Sequence, residues 1–128
     1  MAKVSDKVVV HYYKCDSVAL LDSLHDLPSR HIELYYRPGH YKLLGKPNIK
    51  ALINEKIDDL IIHAPHESYG VNPGSPDEKV RMMSKAYYEE CTWLSSFLGF
   101  TKVIIHPPFS TRKEELPSVM RIAATILN

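Results

Sequence analysis

The chain has 128 residues, 45% hydrophobic and 24% charged, with a formal net charge of +1. That length suits one domain with a real core, and the ordinary charged fraction argues against wholesale disorder. Near-neutral charge excludes a global electrostatic footprint for nucleic acid or an anionic membrane, while leaving room for a local basic loop.

No apolar stretch of signal-peptide length follows Met1, and no run approaches the roughly 18 apolar residues of a spanning helix. Cys15 and Cys91 stand far apart and outside any C-x-x-C pattern. The expectation is a reduced, cytoplasmic protein without a disulfide framework or a membrane partner.

Short apolar runs alternate with amphipathic ones four times. Val8-Val9-Val10-His11-Tyr12 is β-branched and aromatic and reads as the first strand. Asp16 then caps a helix with Val18, Leu21 and Leu24 at helical spacing, ending before Pro28. A second strand, His31 to Tyr36, closes on the turn pair Pro38-Gly39. Pro47 suits the first turn of a second helix, with Ile49, Leu52, Ile53 and Ile57 on one face. The third strand, Leu60 to His63, leads into a polar loop from Ala64 to Gly74.

Ser75-Pro76-Asp77-Glu78 reads as a capping box with proline at the first helical position. The helix it opens repeats Val80, Met83, Tyr87, Leu94 and Leu98 and stops at Gly99. The fourth strand is Lys102 to His106, and a last helix near Pro117 presents Val119, Ala123 and Ile126. Asp58 and Asp59, at the N-terminal end of their strand, read as solvated.

This alternation predicts a single α/β domain over residues 1–128 with a mostly parallel sheet. Ligands then bind where the strand C-termini open on one edge. Two architectures fit four βα units: a small doubly wound sheet, or the N-terminal half of a (β/α)8 barrel.

Three of the seven histidines, His11, His63 and His106, fall at predicted strand C-termini. The third and fourth strands end alike, in Ile61-Ile62-His63-Ala64-Pro65 and Ile104-Ile105-His106-Pro107-Pro108. A neutral imidazole on a rigid rim is a good zinc ligand, and neighbouring parallel strands lie about 4.8 Å apart. The alternative is that each histidine simply bonds a loop carbonyl at its strand end.

Residues 60–107 resemble the endonuclease IV-like (xylose-isomerase-like) TIM-barrel superfamily of abasic-site endonucleases and sugar isomerases and epimerases. The resemblance runs through His63-Ala64-Pro65-His66-Glu67-Ser68-Tyr69-Gly70-Val71-Asn72, the Ser75-Pro76 helix start, Leu98-Gly99-Phe100 and Val103-Ile104-Ile105-His106-Pro107. It implies that His106 is a metal ligand together with either His63, which has the strand-end position, or His66, which has the continuation to Tyr69 and Asn72. Pro108 stands where the family usually has glycine. The resemblance also implies substrate-binding roles for His11, Arg37, Tyr41, Tyr69 and Asn72. Glu33 stands either inside the barrel or on the surface of a misplaced strand.

The implied cofactor is a divalent transition metal, zinc with manganese as the alternative. The family centre draws further ligands from later strands, notably a glutamate at the end of the fifth. No catalytic residue is therefore assigned within this sequence. The leading function is hydrolysis of phosphodiesters at abasic sites in damaged DNA. The alternatives are isomerisation or epimerisation of a small sugar or sugar phosphate, and a structural half-barrel without catalysis. Open sheet edges imply a homo-oligomer or a missing C-terminal half.

Overall fold

In a computed structural model, residues 11–65 and 70–105 are described. The order is β1 (Tyr13–Asp16), α1 (Ser17–Ser23), β2 (His31–Tyr35), α2 (Tyr41–Leu44), α3 (Pro47–Lys56), β3 (Asp59–His63), α4 (Glu78–Leu98) and β4 (Lys102–Ile104).

All strand pairs are parallel, in the order β1-β2-β3-β4. Cys15, Leu34, Ile62 and Val103 share one level of the register, and Asp16, Tyr35, His63 and Ile104 share the next. Side chains alternate between faces, so these two levels point in opposite directions. Cys15, Ile32, Leu34, Leu60 and Ile62 are buried in one core with Leu20, Leu24, Leu44, Ile53, Leu94 and Leu98 from the helices. The other face carries Lys14, Asp16, Glu33, Tyr35, Ile61, His63, Lys102 and Ile104, and there Tyr35 and Ile104 stay 39% and 38% exposed.

Sequential strand order with helices on one face is the winding of a barrel. A doubly wound sheet reverses its strand order and covers both faces. The fold is therefore α/β with the topology of a half-barrel, and the doubly wound alternative is set aside.

Local chemistry explains most element boundaries. The Asp16 carboxylate accepts from the Ala19 amide at 2.9 Å and caps α1. Pro47 opens α3 at a position that needs no amide proton. Gly99, at φ +89°, ends α4 in the left-handed conformation, its amide donating to the carbonyls of Ser95 and Ser96.

Several expectations are corrected. The strand that pairs with β2 is Tyr13–Asp16, just past the expected Val8–Tyr12, and this pairing puts Cys15 opposite Leu34 under the helices. His11 consequently precedes the strand instead of ending it, and its carbonyl accepts from Ser29 Oγ at 2.8 Å. α4 is capped by Asp77, which accepts from the Lys79 amide, while Ser75 Oγ accepts from the Asp77 amide and only steadies the approach. Its buried stripe is Ser84, Tyr88, Cys91, Leu94, Ser95 and Leu98, one residue round from the expected Met83 and Tyr87. Ser84 and Ser95 carry the packing face without apolar bulk, which hides it from a hydrophobicity count. Val18 and Leu52 likewise lie exposed on α1 and α3. Finally, α2 is an extra turn of helix where the sequence suggested only a loop. Val8 and Val10, the helix expected near Pro117, and His66, Tyr69 and His106 lie outside the described residues.

The N-terminal edge of the sheet is closed by ion pairs. Arg30 grips Asp58 through two nitrogens at 3.0 Å. Asp59 accepts from the Tyr12 hydroxyl and from Lys102 Nζ, the latter at 3.2 Å. The two acids are thus engaged rather than merely solvated. The Tyr12 hydrogen bond, then Lys102, holds the Asp59 carboxyl below its ordinary range. A depressed folded pKa contributes stability above the unfolded value of about 3.9, lost as pH falls through the folded one. Asp59→Asn is expected to cost about 1 kcal/mol at pH 7. Urea unfolding at descending pH should show the wild-type advantage disappear below that window.

Candidate functional site

The C-terminal ends of β1, β2 and β3 surround an open cleft of about 340 Å³ lined by Asp16, Tyr35, Tyr36, Arg37, His63, Ala64 and Pro65. Each lining group comes from a strand end or the residues just after it, where the regular ladder stops and side chains can converge.

His63 is the last residue of β3, on the uncovered face. Glu33, two residues before Tyr35, lies on the same face of the adjacent strand. Its Oε1 stands 3.0 Å from His63 Nδ1, and its Oε2 lies 3.7 Å from Lys14 Nζ. An ionised carboxylate only accepts, so Nδ1 carries the proton that His63 donates to Glu33. The Tyr35 ring lies 5.0 Å from the His63 ring.

Asp16 divides its carboxylate between two tasks. Oδ1 caps α1, while Oδ2 lies 4.0 Å from Arg37 Nε across the cleft. The rim thus presents a guanidinium, an imidazole oriented by a carboxylate, and a tyrosine face. That set suits an anionic, hydrogen-bonding ligand such as a phosphate ester.

Of the residues singled out in the sequence, His63 and Arg37 meet in this cleft. His11 does not, because it stands before β1 at the opposite edge. Tyr41 turns away, its ring set edge-on to Trp93 of α4 at 6.1 Å, where a second cleft also contains Ala86, Glu89 and Glu90. Asn72 shapes its own loop: its side-chain Oδ1 accepts from the Gly74 amide and its backbone N–H donates to Ser84 Oγ at 2.7 Å. Among the described residues, no group of three or more His, Cys, Asp or Glu side chains gathers as a metal cage. His66 and His106 lie outside them. Burial pushes the Cys15 thiol up to about 11 and Cys91 to about 12, so neither is poised as a nucleophile.

Lys14, Asp16, Glu33 and Tyr35 join the site without a local sequence signal that marks them. Period two along β2 links Glu33 to Tyr35, but which parity faces the site depends on the partner strands.

No protein-family profile matches the chain. It is 33% identical over 67 residues to a probable endonuclease 4 of Ureaplasma parvum serovar 3, covering 52% of the chain and 21% of that protein. A probable endonuclease 4 of Ureaplasma urealyticum serovar 10 is 33% identical over 76 residues, 59% of the chain and 22% of its own length. The chain therefore spans about a fifth of the curated relatives that it matches. A solved structure described as a D-tagatose 3-epimerase-like protein superposes with a TM-score of 0.65 at 16% identity, over 91% of this chain and 46% of that one. The chain thus shares its α/β half-barrel fold with about half of that epimerase-like structure.

In such a half-barrel the cleft lies where the parallel strands open their C-terminal ends, and Asp16 links helix α1 to it. Asp16→Ala is expected to lower stability by about 1 kcal/mol through loss of the cap. Asp16→Asn keeps a capping oxygen and should recover most of that loss while removing the charge beside Arg37. Chemical denaturation of both variants checks the division.

Proposed function

We propose that this chain contributes the first strands of a metal-dependent phosphodiesterase of the endonuclease IV-like type, acting at abasic sites in DNA. The observation that carries the reading is the placement of Arg37 and the Glu33-oriented His63 on one cleft, in a chain similar to probable endonucleases 4.

His106 together with His63, the alternative to His63 being His66, would hold the divalent ion, zinc or manganese. The Glu33–His63 pair fits that task, because ligating histidines commonly donate their other ring N–H to a carboxylate. When bound, the ion supplies water activation and stabilisation of phosphate charge. Arg37 binds the phosphate backbone beside the lesion, and Asp16 keeps its guanidinium turned across the cleft. The Tyr35 ring, exposed at the rim, offers a flat face to an unstacked base or sugar. Cleavage itself draws on ligands from later strands.

Zinc titrated into the apo-protein by calorimetry should show one site, abolished by His63→Ala or His106→Ala and weakened about 10–100-fold by Glu33→Gln. No site, or one indifferent to these changes, defeats the metal assignment. A duplex with one abasic-site analogue should bind more tightly than the intact duplex, and Arg37→Ala should erase the difference. Equal affinities that fall together with salt signify phosphate contact alone and transfer the assignment to a small sugar phosphate.

The same reading bears on assembly. Among the described residues, β1 and β4 each have one neighbour, beside a face that no described helix covers. A second copy paired edge to edge would satisfy these open edges. Sedimentation equilibrium at micromolar concentration is expected to give a mass above 14.6 kDa, and a clean monomer rejects this arrangement.

A further inference from the structure

Arg37 sits on a loop, residues 36–41, that is tied down from one side by α4. Tyr36 is buried and continues the sheet, its amide donating to the His63 carbonyl at 2.9 Å. Its hydroxyl donates to Glu90 Oε1 at 2.6 Å and accepts from the Tyr41 amide at 3.1 Å. The same Glu90 oxygen accepts from the Gly39 amide at 3.1 Å. Burial and then the Glu90 hydrogen bond raise the Tyr36 pKa, so the hydroxyl keeps its proton and acts as the donor to Glu90.

One carboxylate oxygen thus holds the start of the loop and its turn, and through Tyr36 its end. Gly39 adopts φ +84°, which a side chain resists. Trp93, one helical turn beyond Glu90, closes the far side against the Tyr41 ring and against Gly45, where an added Cβ would meet the indole at 2.9 Å. Between Tyr36 and Gly39 only Arg37 and Pro38 remain. The proline ring fixes its own φ and confines the residue before it to extended backbone. The direction in which Arg37 leaves the loop is therefore set by α4.

We propose that Glu90 is a positioning residue that pins loop 36–41 and so presents Arg37 to the cleft in a preorganised direction. The proposal rests on the reading that Arg37 recognises the lesion. It adds a determinant on the outer helix layer, remote from the strand ends. Preorganisation converts into selectivity because no ordering cost is left for binding to meet.

Glu90→Met removes the acceptor while keeping side-chain length, and Glu90→Gln retains an acceptor oxygen. Amide exchange reads the pin directly. The Gly39 and Tyr41 amides should exchange at least about 10-fold faster in Glu90→Met, with Ile62 in the core strand unchanged. Unaltered exchange at Gly39 and Tyr41 overturns the pin.

The ratio of affinities for abasic and intact duplexes reads the coupling. That ratio does not depend on the folded fraction, which scales both affinities alike. Glu90→Met should reduce it about 10-fold, toward the Arg37→Ala value, and Glu90→Gln should stay near wild type. A wild-type ratio in Glu90→Met, with Arg37→Ala impaired, overturns the positioning role. A ratio of one in the wild-type protein overturns the lesion-recognition reading instead, and the exchange rates still decide the pin.

Discussion

The constraint on which the rest depends is the parallel register that puts Cys15, Leu34, Ile62 and Val103 on one level of the sheet. Helices can bury only one parity of side chains. Sealing the apolar parity beneath α1, α3 and α4 sends every residue of the other parity to the same open face. The charged and aromatic groups therefore meet because their apolar neighbours were buried, without any sequence-local motif bringing them together. Glu33 reaches His63 across adjacent strands, and Asp59 reaches Tyr12 and Lys102 at the N-terminal edge. The pairing also separates two roles by height: ion pairs close the N-terminal edge, and the cleft opens at the C-terminal one.

α4 is the second organising element. Its length, 21 residues, lets a single rigid body touch the polar loop, the α2 turn, α3 and the sheet. Ser84 Oγ donates to the Val80 carbonyl and accepts from the Asn72 amide, spending a buried hydroxyl on the β3–α4 loop. Asn54 of α3 donates to the carbonyl of Leu98 at 3.2 Å, satisfying an orphan acceptor at the helix end. Glu90 and Trp93 do the corresponding work for the loop carrying Arg37. An element far from the cleft thereby governs how part of the cleft is presented.

Several carboxylates divide their oxygens between fold and site. Asp16 caps α1 with one and faces Arg37 with the other, and Glu33 stands between His63 and Lys14. Such sharing ties side-chain orientation at the rim to helix and strand geometry, so the groups need little reordering when a ligand arrives. It also makes deletion of either acid a structural change as well as a functional one.

Sequence alone determined the α/β alternation, the strand-end position of His63, the Asp16 cap, Pro47 at the start of α3 and Gly99 at the end of α4. These are legible because hydrophobic periodicity, capping and glycine geometry act within a few residues. The motif around His63 and Leu98-Gly99-Phe100 likewise carried the resemblance to the endonuclease IV-like superfamily. Tertiary structure decided what depends on partners. The register of β1 placed the paired strand at Tyr13–Asp16 and moved His11 away from the rim. The serines of α4 formed a packing face that hydrophobicity does not mark. Strand order separated the half-barrel from the doubly wound sheet, since both arise from the same local periodicities. Pairing across 30 residues joined Glu33 to His63, and a contact across 54 joined Tyr36 to Glu90, distances over which no local propensity acts.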